Sequence, residues 1–329
     1  MKFLPHEGLR DMFNDAIRGE DLKFSPSGCL LAVIATNGQI CLFSVDCDTL
    51  PIRILNSAVV ISPGLSAPHG IDFIREDIVV VANRSGWITF HRIPPVRKWV
   101  DGMTIPMFGE MNSPWFGDKG QTREVGNRTV VCGPGSVRVC DQELIVCCNY
   151  KSTVTSHPFR IRWGRVRTGQ GRLLVGEGLD IPDGVARSED GRHLAVSDHE
   201  NQRIVIYSDG EASPSCELAD PSMGYPHGLC FDSSGRVMIA SDAGKRELQI
   251  YVTSDRWKSS MSSSSMKMTV VEEDAYSKTR ESVPEQARPL EGGVKGIDMN
   301  PSGKILAMTC QNQLLRFLEL DQAALVNAG

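Results

Sequence analysis

The chain has 329 residues, 41% of them hydrophobic, and its 35 Lys and Arg against 40 Asp and Glu leave a formal net charge of -5. The basic residues are scattered rather than grouped, so there is no field for gripping a phosphate backbone and no nucleic-acid partner is expected. Pro5, His6, Glu7, Arg10 and Asp11 interrupt the apolar stretch an export signal needs, and no later window reaches the length of a bilayer span, so a cytoplasmic protein with no membrane partner is expected.

Six segments share one rhythm, Pro or Gly, a variable residue, a small residue, then apolar-x-apolar. In chain order they begin at Gly19, Pro68, Pro134, Pro182, Pro226 and Val294, and three are near copies: Pro68-His69-Gly70-Ile71-Asp72-Phe73, Pro182-Asp183-Gly184-Val185-Ala186-Arg187 and Pro226-His227-Gly228-Leu229-Cys230-Phe231. After each comes a second apolar run, at 30–35, 77–82, 143–148, 193–197, 237–241 and 305–309. Third runs follow at 39–45, 87–93, 152–159, 204–207, 248–252 and 314–320. Candidate outer strands lie at 52–57, 172–176 and 214–218. Turns such as Ser25-Pro26-Ser27-Gly28 and Asn300-Pro301-Ser302-Gly303 place Gly where a positive φ closes the turn. A strand-turn-strand unit repeated six times predicts an all-β, six-bladed β-propeller in a single domain over 1–329, with WD-like architecture. The chain ends about one strand after the last third run, so part of 8–18 is expected to supply the sixth blade's outer strand and close the ring.

Two intervals exceed what a bare blade needs. The segment 97–127 holds Trp99, Phe108, Trp115 and Phe116 among Gly and Pro and is expected to be an ordered loop capping one face, with Trp99 and Trp115 as anchors for a partner. The segment 254–290, with its run of serines, mixed charges and two prolines, is expected to be a disordered insertion before the last blade. Of the ten cysteines, Cys29, Cys41, Cys140, Cys147, Cys148, Cys230 and Cys310 fall within apolar strand patterns. They read as buried reduced thiols rather than a disulfide framework, and the absence of Cys-x-x-Cys argues against a zinc knuckle.

Pro182-Asp183-Gly184-Val185, then Asp190-Gly191, Val196-Ser197-Asp198 and Asn201-Gln202-Arg203-Ile204-Val205-Ile206-Tyr207, resembles an NHL repeat, and Pro226 to Tyr251 resembles it well. The resemblance fades elsewhere, Ala82-Asn83 replacing Ala-Asp in the second blade. It implies a six-bladed propeller of the superfamily that includes gluconolactonase-type lactonases, strictosidine synthase-like proteins and peptidyl-hydroxyglycine amidating lyases, among which are both enzymes and binding modules.

The residue after the Pro or Gly of each register is expected at the mouth of the central channel: Glu20, His69, Gly135, Asp183, His227 and Lys295. Imidazoles and carboxylates converging on one axis suit a divalent metal, zinc, manganese or calcium, with Glu20, His69, Asp183 and His227 as ligands. The lactonase resemblance implies the same role for Glu20 and Asp183, and the lyase resemblance for His69 and His227. The lactonases' Asn ligands and the lyases' third His have no counterpart in the sequence pattern. A one-residue slip of the first register would present Asp21 instead, and Lys295 would neutralise the carboxylates without any metal. Asn83, Arg84, Asp198 and Asp242 end second strands at the same face and are candidate lining residues. Two functions remain open. The first, to which the partial ligand set points, is an NHL-like scaffold that holds a protein or small molecule on one face. The other is a metal-dependent hydrolase or lyase, with Lys295 or His199 moving protons or binding an anion.

Overall fold

A computed structural model describes residues 2–4, 19–35, 37–47, 52–112, 131–162, 165–211, 213–310, 315–321 and 325. Six antiparallel sheets follow one another around an axis. Each begins with an innermost strand at a predicted register: Gly19–Phe24, Pro68–Arg75, Pro134–Cys140, Pro182–Arg187, Pro226–Phe231 and Val294–Met299. The second strands, such as Ile78–Asn83 and Val237–Asp242, are buried on both faces, which is why they read as unbroken apolar runs. Their side chains form apolar layers between consecutive blades, such as Ala32, Ile34 and Ile40 against Ile71, Val79 and Val81. This is the six-bladed propeller the repeat predicts.

The ring closes through the N-terminus, as expected, but with different residues. Lys2–Leu4 pairs antiparallel with Arg316–Glu319 as the outer strand of the sixth blade, whereas 8–18 lies outside the described residues. Part of the 97–127 segment is regular: Met107–Asn112 is the outer strand of blade two, and Met103–Thr104 adds a parallel pairing to blade one. Trp99 is buried in the layer between blades one and two and donates its indole N–H to Pro94 O at 2.8 Å. It is therefore a core side chain, while Trp115 lies outside the described residues.

The expectation of disorder over 254–290 is corrected. Trp257 is fully buried beside Phe231 and donates to Gly235 O. Met266–Thr269 is the outer strand of blade five, paired with Glu247–Val252, and a helix follows at Glu273–Glu281. Buried Asp220 binds the stretch down, accepting from the Ser264 amide and hydroxyl and pairing with Lys267 at 2.9 Å. Serine content suggested an unfolded segment, but one tryptophan and four apolar residues, Met266, Met268, Val270 and Val271, supply the buried surface that offsets chain entropy.

Candidate functional site

The register between first and second strands shifts at the same point in every blade: Gly19/Asp21, Pro68/Gly70, Pro134/Ser136, Pro182/Val185, Pro226/Leu229 and Val294/Ile297. In four blades the first residue is proline, which has no amide to pair, so the ladder breaks after it; Gly19 and Val294 begin the same shift in blades one and six, and in each a β-bulge re-aims the next side chain. Glycine follows because the neighbouring blade comes too close for a side chain. A Cβ at Gly228 would stand 2.5 Å from Lys295 O, one at Gly296 2.6 Å from Asp21 Cα, and one at Gly184 inside contact distance of His227 O. Hydroxyls at the ends of second strands bind these bulges. Ser197 Oγ accepts from Gly184 N at 2.5 Å and donates to His227 O at 3.0 Å; Ser241 Oγ accepts from Gly228 N at 2.8 Å and donates to Lys295 O.

The six bulge residues meet at the channel mouth, and five of them bear ionisable side chains. Glu20, His69 and His227 present ligand atoms all within 4.8 Å of one another, each residue buried. His69 Nδ1 lies 2.7 Å from Gly135 O. A carbonyl only accepts, so Nδ1 donates, and Nε2 faces Glu20 Oε2 at 3.2 Å. In the neutral ring that is a lone pair opposite a carboxylate oxygen, an arrangement that calls for a proton or a metal cation there. The Nδ1 donation to a carbonyl is also the outer-shell bond that orients metal-binding imidazoles.

Asp183 takes the other side of the ring. Its Oδ2 lies 3.3 Å from His227 Nε2 and its Oδ1 3.7 Å from His69 Nδ1. It also accepts from Arg84 at 3.3 Å and from Asn149 Nδ2 at 2.9 Å. Burial works to raise the Asp183 carboxyl, but His69, His227 and then Arg84 outweigh it and hold it well below the usual range. Burial first, against the opposing pull of Asp183 and helped by His69 and Lys295, pushes the His227 imidazole down to about 3. A neutral imidazole is the form that binds a metal. His227 Nε2 and Asn149 Oδ1 are buried without a hydrogen-bond partner, among the described residues. These observations fit a cation. Lys295 Nζ offers one of its own, 3.2 Å from Glu20 Oε2, and a second carboxylate, Glu291, lies 3.4 Å from the same ammonium.

Of the predicted ligands, Glu20, His69 and His227 form one group, and Asp183 stands beside both imidazoles. Asp21 does not enter the ring. It accepts from Leu22 N and Ile71 N and lies 3.6 Å from Arg138 deeper in the channel. His199 lies 3.3 Å from Glu200, its ring tilted by 39° to that of Tyr225 with centroids 5.0 Å apart. Arg84 is part-exposed and reaches Asp183. Asn83, Asp198 and Asp242 are buried and turned inward. Asn83 Oδ1 accepts from Ser66 N, Asp198 Oδ1 from Asp180 N, and Asp242 from the amides of Gly224, Tyr225 and Gly244. They hold the loops that deliver His69, Asp183 and His227, because buried amides need acceptors.

Two elements escaped the sequence pattern. Asn149 reaches into the ring where blade three has only Gly135, whose missing Cβ leaves room for the Asn149 side chain and would stand 2.6 Å from Asp183 Oδ1. The signal was present: only a side chain from elsewhere fills a glycine's place in a ring of long residues. Glu291, delivered by the segment after the helix, had no signal in the repeat. Cys147 and Cys148 are buried, and burial pushes both thiols up, in keeping with core residues.

No family model matches this chain, and no curated protein sequence matches it. Among solved structures, 1519 chains are similar, a breadth that fixes fold and leaves function open. A candidate 6-phosphogluconolactonase from Bacteroides fragilis NCTC 9343 superposes with a TM-score of 0.55 at 14% identity, covering 92% of this chain and 80% of that one. A second, from Bacteroides uniformis ATCC 8492, gives 0.57 at 11% identity over 92% and 81%. The WD40 β-propeller domain of Doa1 gives 0.54 at 12% identity over 94% and 95%. At these identities the likeness is one of fold, and it includes both lactonase-like and WD40 propellers.

Proposed function

We propose that the channel mouth is a divalent-metal centre serving hydrolysis or elimination on a small molecule, with Glu20, His69 and His227 as the residues that hold the ion. The observation that carries this reading is His69 Nε2 set 3.2 Å from the Glu20 carboxylate while Nδ1 is committed to Gly135 O. When bound, the ion supplies Lewis-acid polarisation of a carbonyl or an activated water. Asp183 orients the two imidazoles from behind, as outer-shell carboxylates do. Held ionised by its partners, it is an orienting group and a poor proton acceptor at neutral pH. Lys295 shares its charge between Glu20 and Glu291, so Glu20 is able to engage an ion while the ammonium keeps a carboxylate partner. His199, buried beside Glu200, is the residue we assign to move a proton.

A second reading, a scaffold that binds a protein through one face, is favoured by the same Lys295, which neutralises Glu20 without any ion. Elemental analysis of protein purified without chelator or affinity nickel separates the two. About one metal per chain, absent from a His69→Ala/His227→Ala double variant, supports the centre. A wild type that takes up neither zinc, manganese nor calcium contradicts it and leaves the scaffold.

A further inference from the structure

Each bulge residue sits at the same end of its blade as the turn joining strands two and three, since Pro68 pairs with Asn83, Pro134 with Cys148, Pro182 with Asp198 and Pro226 with Asp242. In blades two to five these turns therefore form a collar above the ring. There they carry Arg84, Lys151, Lys245 and Arg246, the last paired with Glu273, against one acid, Glu200, on a chain whose net charge is -5. The ring beneath has the opposite character, with Glu20, Asp183 and Glu291 buried around one ammonium. Arg84 joins the two layers. Its side chain is 38% exposed, and among the described residues its guanidinium donates to Asp183 alone, at 3.3 Å. A guanidinium has five N–H donors in a planar fork, so the remaining edge presents donors to whatever occupies the mouth.

From this layering we infer that Arg84 is an oxyanion subsite, and that the molecule taken by the channel mouth carries a carboxylate or similar anion one side chain away from the group that reacts. The inference rests on the metal reading for its strength. Without a cation in the ring, Asp183, Glu20 and Glu291 repel an anion; with a divalent ion held by Glu20, His69 and His227 that repulsion reverses. Anion and metal then favour each other's binding by the same factor. The collar adds long-range attraction that draws anions to this face, and salt screens it. A neutral molecule of the same shape gains nothing from either layer. Arg84 thus sets specificity, discriminating the charged ligand from its uncharged isostere by the bidentate bond only an oxyanion accepts.

D-gluconate and D-glucitol, which differ by a carboxylate in place of a hydroxymethyl group, test this by calorimetric titration into zinc-loaded protein. Gluconate binding about tenfold or more tighter than glucitol, a preference reduced to about twofold or less in Arg84→Gln at unchanged zinc content, is the expected result. Arg84→Lys retains charge without the fork and falls between. Zinc uptake with equal binding of the two polyols, or a preference untouched by Arg84→Gln, overturns the subsite and leaves the metal centre standing. If wild type takes up no zinc, the metal centre falls by itself. The same titration into metal-free protein then decides the subsite alone, Arg84-dependent gluconate binding sustaining it and no such binding overturning it.

Discussion

Two charged layers lie on the propeller axis, and they behave differently. The deeper one comes from the residue between the two apolar positions of each first strand, Lys23, Asp72, Arg138, Ala186, Cys230 and Asp298, together with Asp21. It closes on itself: Lys23 pairs with Asp298, whose other oxygen accepts from Phe24 N; Asp72 accepts from Val139 N; Arg138 donates to Val185 O and lies 3.6 Å from Asp21. Burial raises the Asp21 and Asp72 carboxyls, and Arg138 and Lys23 act to lower them again. The upper layer does not close. Among the described residues His227 Nε2 and Asn149 Oδ1 find no hydrogen bond, and His69 Nε2 faces a carboxylate. Charge on an axis is thus no sign of a site by itself; the sign is buried polar groups whose mutual geometry lacks a cation.

Breaking the deeper layer is expected to cost most. Arg138→Ala strands buried Asp21 and Asp72 without their cation and lowers unfolding free energy by about 3–5 kcal/mol in urea denaturation. His227→Ala, in the upper layer, removes an imidazole whose Nε2 has no hydrogen bond among the described residues and costs about half that or less. Equal losses would erase the distinction between the layers. Gly184→Ala comes next. Its Cβ meets the His227 carbonyl of the next blade, backbone that has no room to yield, and a loss of about 3 kcal/mol is expected, with disturbed His227 resonances in NMR. Ser197→Ala keeps the volume but strands the Gly184 amide and the His227 carbonyl, for about 1–3 kcal/mol by the same assay.

Acid works on the core imidazoles in the same direction as on His227 of the site. Burial pushes His91 and His157, bonded to Thr89 and Thr155 within blades two and three, down to about 4. The unfolded chain binds protons at these residues near the ordinary 6.5, so their contribution is complete above that pH and drains away as pH falls toward 4. A loss of at most about 3 kcal/mol per residue is expected from the width of that window. Urea melts at neutral and mildly acid pH read it, and His91→Gln flattens the slope. A wild type as stable in acid as at neutrality would contradict this assignment.

The sequence carried much of the upper layer because the bulge repeats: Pro-x-Gly fixes where each side chain leaves the strand, so one register put Glu20, His69, Asp183, His227 and Lys295 on the same axis. It carried less where a side chain crosses from another element. Asn149 enters a place that Gly135 leaves open, and Asp198 and Asp242, which look like pocket residues at strand ends, turn inward because the amides of the preceding loop are buried. In the outer strands local composition misled. The serine run at 259–265 overshadowed Trp257 and the Met266–Thr269 strand, whose pairing with Glu247–Val252 depends on contacts no local pattern shows.

The most direct test of the open upper layer is thermal unfolding of wild type and the His69→Ala/His227→Ala double variant, each with and without zinc. A ligand that binds only the folded state stabilises it by about 2.7 kcal/mol at a hundredfold excess over its Kd. The account predicts a zinc-dependent rise in Tm for wild type that chelator reverses, and none for the double variant. Equal shifts in both proteins, or no shift in wild type, would contradict a cation-binding centre at the channel mouth.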